Sequence, residues 1–363
     1  MKKNILIVDD SALMRRVISD IIKSDDRFQV MDTANNGMDA FDLIIKNTGK
    51  YDAILLDINM PKMSGLELLE QMNRHNIKHT TIMVSTLAKQ GAAETIRALE
   101  LGAFDFVTKP DSYMEVKSES FHDQILKRLC WAFNLEDNFV IERTKREPRF
   151  QKVVPPIASN NIIVSHDVKR GSKLIALACS TGGPKALQDV IPTLPKGLDA
   201  PMLLVQHMPA GFTKSLAMRL NEMSNVYVKE AQDGDILENG TVYIAKGGAQ
   251  MKLEKANAGK YRIILTDEPA RGGLKPCADI MYESLLASDF ETITCVVLTG
   301  MGGDGTKGIM QLKEYKKIYV IAQDQATSTV YGMPKVVAEA GLTNEVLPLR
   351  MISGAITQNV GVR

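Results

Sequence analysis

Two sets of residues in this 363-residue chain have the types and positions to do chemistry. The first is acidic with one cation. Asp9-Asp10 follows a short apolar run at 5–8, Asp57 ends a run at 53–56, Ser85 ends a run at 81–84, and Lys109 follows a run at 104–107 and precedes Pro110. Clustered carboxylates that keep some water suit Mg²⁺, which takes oxygen ligands in octahedral geometry. Asp57 is then the candidate nucleophile toward a phosphoryl group, with the metal and Lys109 offsetting charge on the transferring oxygens. Ser85 can hydrogen-bond the phosphoryl oxygen once it arrives. A single Asp at a strand end is more often a turn or cap residue. Four matched strand ends are harder to assign to turns.

The second set is Ser180, His207 and Asp304. Ser180 leads Ser180-Thr181-Gly182-Gly183, where small residues permit a sharp turn that leaves the hydroxyl exposed. His207 lies in Gln206-His207-Met208-Pro209, and no histidine follows position 166 except this one. Asp304 lies in Thr299-Gly300-Met301-Gly302-Gly303-Asp304-Gly305. Taken singly, these read as an N-cap serine, a structural histidine and an anion-binding turn. Together they fit nucleophile, general base and base-orienting carboxylate. The glycine-rich turn lacks the Gly-Lys-Ser/Thr ending of a P-loop, which argues against nucleotide binding. The order Ser…His…Asp and the missing Gly-x-Ser-x-Gly elbow exclude an ordinary lipase or esterase.

The elements that must position these residues are strands alternating with helices. Over residues 1–130 five apolar runs alternate with amphipathic stretches such as Leu13, Val17, Ile21 and Ile22. That pattern predicts a five-stranded parallel α/β domain, whose ligands collect beyond the carboxyl ends of its strands. From Ser172 the alternation resumes, with strands expected at 174–178, 202–205, 294–298 and 319–322. Residues 226–268 look like short β-elements with hairpin turns at Glu238-Asn239-Gly240 and Asn257-Ala258-Gly259. The expectation is a second, doubly wound α/β domain at 172–363 with an antiparallel insertion. Between the two, residues 131–171 are assigned to a linker. Its stretch 142–170 has three prolines, no glycine and seven Lys/Arg against three Asp/Glu.

Composition bounds the function. With 44 Lys+Arg against 43 Asp+Glu, the net charge of +1 argues against nucleic acid as the main partner. No apolar run approaches the ~18 residues of a membrane span, and the apolar start meets Asp9-Asp10 too early for a signal peptide. The four cysteines have no metal-ligand spacing. A cytoplasmic, reducing setting is expected.

Residues 1–125 resemble the receiver domain of two-component response regulators, on Ile7-Val8-Asp9-Asp10-Ser11, Leu56-Asp57-Ile58-Asn59-Met60-Pro61 and Phe106-Val107-Thr108-Lys109-Pro110. That resemblance implies a flavodoxin-like fold and phosphorylation of Asp57 by a histidine kinase. It also implies Mg²⁺ held by Asp9 or Asp10, Asp57 and the Asn59 carbonyl, with Ser85 and Phe106 as switch positions. Residues 172–363 resemble the catalytic domain of chemotaxis protein-glutamate methylesterases, the CheB family, on Ser180-Thr181-Gly182-Gly183, Gln206-His207-Met208-Pro209, the 299–305 turn and Tyr331-Gly332-Met333-Pro334. This second resemblance implies hydrolysis of glutamate γ-methyl esters on methyl-accepting chemoreceptors, with deamidation of receptor glutamines. Ser180 would attack, His207 would take its proton, Asp304 would orient the imidazole, and backbone N–H groups near Thr181 and Met301 would stabilise the oxyanion. No cofactor is implied for that domain.

The chain departs from the family pattern at Ala178-Cys179, at Lys246 and at Leu274-Lys275-Pro276-Cys277-Ala278-Asp279. Cys179 reads as a small buried residue; the other loops are expected to shape the substrate cleft. An unphosphorylated receiver packed over the cleft would block it, and phosphorylation would open it. Three alternatives stay open: a hydrolase of other esters or amides, a binding module with an inert triad, and a DNA-binding output, for which no basic helix-turn-helix unit is present.

Overall fold

The computed structural model describes residues 1–86, 89–110, 119–135 and 172–363. In the first unit, β1 (Lys3–Val8), β2 (Phe28–Ala34), β3 (Ala53–Asp57), β4 (Thr80–Ser85) and β5 (Asp105–Thr108) form one parallel sheet in the order β2-β1-β3-β4-β5. Its helices are α1 (Ala12–Lys23), α2 (Gly37–Lys46), α3 (Gly65–Arg74), α4 (Lys89–Glu100) and α5 (Glu119–Ala132). Every residue of β3 is buried, because helices cover both faces of a central parallel strand.

Local sequence sets the helix starts. Ser11 caps α1 by accepting the Met14 N–H at 3.3 Å, and Met14, Ile18, Ile21 and Ile22 then fall on one buried face. Ser64 and Glu67 cap α3 reciprocally, as a Ser-x-x-Glu spacing allows. The α1 and α5 side chains pack on one face of the sheet, and those of α2, α3 and α4 on the other. Phe133 and Leu135 pack on the α1–α5 side beyond the end of the helix, so this unit continues past residue 130. Of the expected linker, 136–171 lies outside the described residues.

The second unit is built on a seven-stranded sheet in the order β14-β13-β12-β6-β7-β9-β8. Its strands are β6 (Lys173–Cys179), β7 (Met202–Gln206), β8 (Tyr227–Glu230), β9 (Thr241–Ile244), β12 (Thr292–Val297), β13 (Ile318–Gln323) and β14 (Glu345–Leu347). All its pairings are parallel. The separate hairpin β10 (Gln250–Lys255) and β11 (Tyr261–Thr266) is the antiparallel insertion, turning at Asn257–Gly259 as expected. The expected hairpin at Glu238-Asn239-Gly240 is corrected. β8 and β9 run parallel, with Tyr227 opposite Thr241 and Glu230 opposite Ile244. The intervening chain crosses back instead of reversing, and Ile236 bridges to Arg262 on the hairpin.

Helices α6 (Gly183–Val190), α7 (Phe212–Met223) and α11 (Leu349–Val360) cover one face of this sheet. Helices α8 (Ala278–Ser284), α9 (Thr306–Tyr315) and α10 (Met333–Glu339) cover the other with the hairpin. No helix among the described residues is long and apolar enough to cross a membrane.

The strand order reverses between β1 and β3 in the first sheet and between β6 and β12 in the second. A parallel sheet opens a crevice at such a reversal, because the connections leave toward opposite faces. The two units touch along α4, which packs against α6 and α7, so the apolar layer on that side is continuous between them.

Candidate active site

Asp9-Asp10 leaves β1 and Asp57 ends β3, on either side of the first reversal. Lys109 Nζ reaches both buried carboxylates, at 2.9 Å from Asp9 Oδ2 and 2.8 Å from Asp57 Oδ2. Burial above all, with the Asp9 charge adding to it, pushes the Asp57 carboxyl up to about 6 against the opposing pull of Lys109. Burial works to lower the Lys109 ammonium, but the two carboxylates outweigh it and hold it above its ordinary value.

Carboxylate oxygens of Asp9, Asp10 and Asp57 lie within 4.8 Å of one another. Asp9 Oδ1 accepts the Ser11 N–H at 2.9 Å, while its buried Oδ2 is paired with the Lys109 ammonium. An all-oxygen set from three clustered carboxylates, with only one cationic side chain among them, fits a divalent cation such as Mg²⁺. Asn59 follows β3 and is exposed, with its side-chain amide donating to Glu94.

Ser85 is buried, and its hydroxyl is hydrogen-bonded on the α4 side. Thr95 Oγ1 sits 2.7 Å from it and the Gly91 carbonyl 3.3 Å. Phe106 is buried against the second unit, stacked on Phe212 of α7 with ring centroids 4.6 Å apart.

Ser180, His207 and Asp304 leave the adjacent strands β6, β7 and β12, around the second reversal. Ser180 is fixed by its backbone, its N–H donating to Thr299 at 3.0 Å and its carbonyl accepting the Gly183 N–H at 2.8 Å. Two glycines are required here. Gly182 has φ +78, and a Cβ on it would lie 2.5 Å from the Thr329 side chain; a Cβ on Gly300 would lie 2.8 Å from that of Ser180.

His207 Nε2 lies 2.7 Å from Asp304 Oδ2, both side chains being almost fully buried. Asp304 is an acceptor on every side. The N–H groups of Ala278, Asp279 and Gly305 and the Cys277 thiol donate to it at 2.6, 3.0, 3.0 and 3.1 Å. Burial works to raise this carboxyl, but His207 and those donors outweigh it and bring it to about 2. Nε2 being committed to Asp304, Nδ1 is the ring nitrogen left to accept a proton.

Ser180 and His207 face a common cleft of about 290 Å³, with Thr181 and the Gly273–Pro276 loop on its wall. Among the described residues no hydrogen bond links Ser180 Oγ to His207. Contacts of this kind are commonly long before substrate binds. The N–H groups of Thr181 and Met301 donate to no described residue. Asp105, Phe106, Arg128 and Trp131 of the first unit close one side of the cleft. Thr181 Oγ1 donates to Asp105 Oδ2 at 2.7 Å, and Arg219 on α7 grips Glu100 at the end of α4 at 2.6 and 3.2 Å.

Sequence reasoning missed Asp105, Glu100 and Arg219 and the bridging role of Thr181, because the partners lie more than 70 positions apart. It also read 274–279 wholly as a cleft loop, whereas Cys277 turns inward to Asp304. Cys179 is a buried thiol, as expected, held protonated by burial.

Residues 175–356 match the profile described as CheB methylesterase, and residues 5–118 match the response regulator receiver domain. The chain belongs to the CheB methylesterase family. Among its relatives, the protein-glutamate methylesterase/protein-glutamine glutaminase 1 of Syntrophomonas wolfei is 38% identical over 97% of both chains. The protein-glutamate methylesterase/protein-glutamine glutaminase of Bacillus subtilis is 38% identical over 98% of both. The solved CheB methylesterase catalytic domain of Thermotoga maritima is 42% identical, with a TM-score of 0.50 over 52% of this chain and 99% of its own. In this family member the receiver and the methylesterase unit are joined in one chain, each with its candidate site residues at a strand-order reversal.

Proposed function

We propose that this protein is a phosphorylation-activated protein-glutamate methylesterase and protein-glutamine glutaminase acting on methyl-accepting chemoreceptors in the cytoplasm. The observation that carries this reading is the 2.7 Å His207–Asp304 pair beside Ser180 in one cleft. Ser180 Oγ attacks the γ-carbonyl while His207 Nδ1 takes its proton. Asp304 holds Nε2–H and stabilises the imidazolium. The negative oxygen meets the N–H groups of Thr181 and Met301, which donate to no other described residue. His207 returns the proton to the leaving oxygen and methanol departs, or ammonia from a glutamine. Water activated by His207 then cleaves the acyl-serine, leaving glutamate.

The receiver side supplies control. Asp57 accepts a phosphoryl group from a chemotaxis histidine kinase, and Asp9, Asp10, Asp57 and the Asn59 carbonyl would hold Mg²⁺. When bound, that ion neutralises charge on the phosphoryl oxygens. Lys109 pairs with the acidic pocket and offsets charge beside Asp57. Ser85 and Phe106 are the switch residues, and Phe106 stacked on Phe212 supports a route from Asp57 to the cleft. Phosphorylation loosens that contact and admits the receptor segment. The test is methanol release from methylated receptor by the full chain, with and without a small-molecule phosphoryl donor. Release that depends on Ser180 and rises with the donor is expected; equal release by Ser180→Ala would overturn the reading.

A further inference from the structure

Gln206 ends β7 and is 1% exposed, yet its amide spends every polar atom on the catalytic turns. Nε2 donates to the Ser180 carbonyl at 3.0 Å and to the His207 carbonyl at 3.3 Å. Oε1 accepts the Cys179 thiol at 3.1 Å. A Cβ on Gly183 would lie 2.0 Å from Oε1, so the glycine there is what lets this amide reach the end of β6. A buried amide is costly unless its groups are paired, and an apolar side chain would fill the same space without that demand.

The peptide joining Ser180 to Thr181 is planar and trans, so the Ser180 carbonyl and the Thr181 N–H point in opposite directions. Gln206 and the Gly183 N–H hold that carbonyl together. The Thr181 N–H is thereby turned away from the buried amide, and it donates to no described residue. A flipped peptide would set this N–H against Nε2, donor facing donor. We infer that Gln206 is a positioning residue for hydrolysis. It fixes the peptide that presents the Thr181 N–H to the oxyanion, and it ties the turn carrying His207 to the same point. The inference rests on Ser180 as the nucleophile and Thr181 as an oxyanion donor.

The test uses the full chain carrying Gln206→Met, which keeps the length of the side chain and removes its donors, beside wild type and Ser180→Ala. The kcat for methanol release should fall on the order of 10²-fold with KM within about twofold. Covalent labelling of Ser180 by a fluorophosphonate, which also develops charge on an oxygen, should slow in parallel. Gln206→Glu keeps the experiment decisive if the methionine variant does not fold. It turns two donors into acceptors, and its rate relative to wild type should recover as pH falls and the carboxyl regains a proton to donate. A kcat within about threefold of wild type in a folded variant, or a loss confined to KM, overturns the inference. Equal methanol release by wild type and Ser180→Ala removes the serine reading, and this inference with it, through a separate measurement.

Discussion

Asp304 accepts five hydrogen bonds, from His207, three backbone N–H groups and the Cys277 thiol. The carboxylate is therefore fixed before substrate arrives, which is what a base-orienting group requires. Ser180→Ala should lower methanol release by ~10³-fold or more, read as kcat at saturating receptor. Cys277 tests the positioning of Asp304 separately. Cys277→Ser keeps a donor and should stay near wild type. Cys277→Ala loses one hydrogen bond of about 1 kcal/mol and should cost ~5-fold in kcat.

The Asp304 carboxyl also sets a stability limb. Its folded value of about 2 lies below the ordinary 3.8. The carboxylate therefore contributes stability that is complete above about pH 4 and lost as pH falls through about 2, worth about 2 kcal/mol. Urea denaturation from about pH 5 down to about pH 2 should show that limb in wild type and its loss in Asp304→Asn.

At the scale of elements, the adjacency of β12, β6 and β7 brings three turns to one crevice, and close backbone approach keeps them there. Gly300 is one of these close approaches, because a Cβ on it would lie 2.4 Å from Met333 Sδ and 2.8 Å from Ser180 Cβ. Gly300→Ala should therefore cost about 1–3 kcal/mol in urea denaturation and displace the Ser180 turn, with kcat falling more than KM rises. The strand and helix periods and the 257–259 hairpin were legible in the sequence, because each is decided within a few residues. The parallel pairing of β8 and β9 was not. An Asn-Gly dipeptide signals a turn but does not say which strands will pair after it.

For the whole molecule, the decisive feature is that the receiver forms one wall of the cleft. The Phe106–Phe212 stack, the Thr181–Asp105 hydrogen bond and the Arg219–Glu100 pair all span the two units. Arg219 touches neither Ser180 nor His207, so it offers a way to loosen the interface without altering the chemistry. Arg219→Glu sets like charges against each other at Glu100. If that weakens the interface by about 1–2 kcal/mol, turnover of the unphosphorylated chain should rise about 5- to 30-fold. Asp57→Asn should leave the low basal rate and abolish the response to a phosphoryl donor, as chelation of divalent cations should in wild type.

The sequence by itself determined both α/β units, because strand and helix periods are local properties of side-chain spacing. It also singled out candidate residues for the chemistry, because ligands of parallel sheets collect beyond the strand ends. Only the tertiary structure decided what surrounds them. The hold of Gln206 on the Ser180 and His207 carbonyls joins two strand ends. The bond from Thr181 to Asp105 spans 76 positions of chain. Such contacts depend on how sheets and helices pack across the molecule, and no spacing along the chain encodes them.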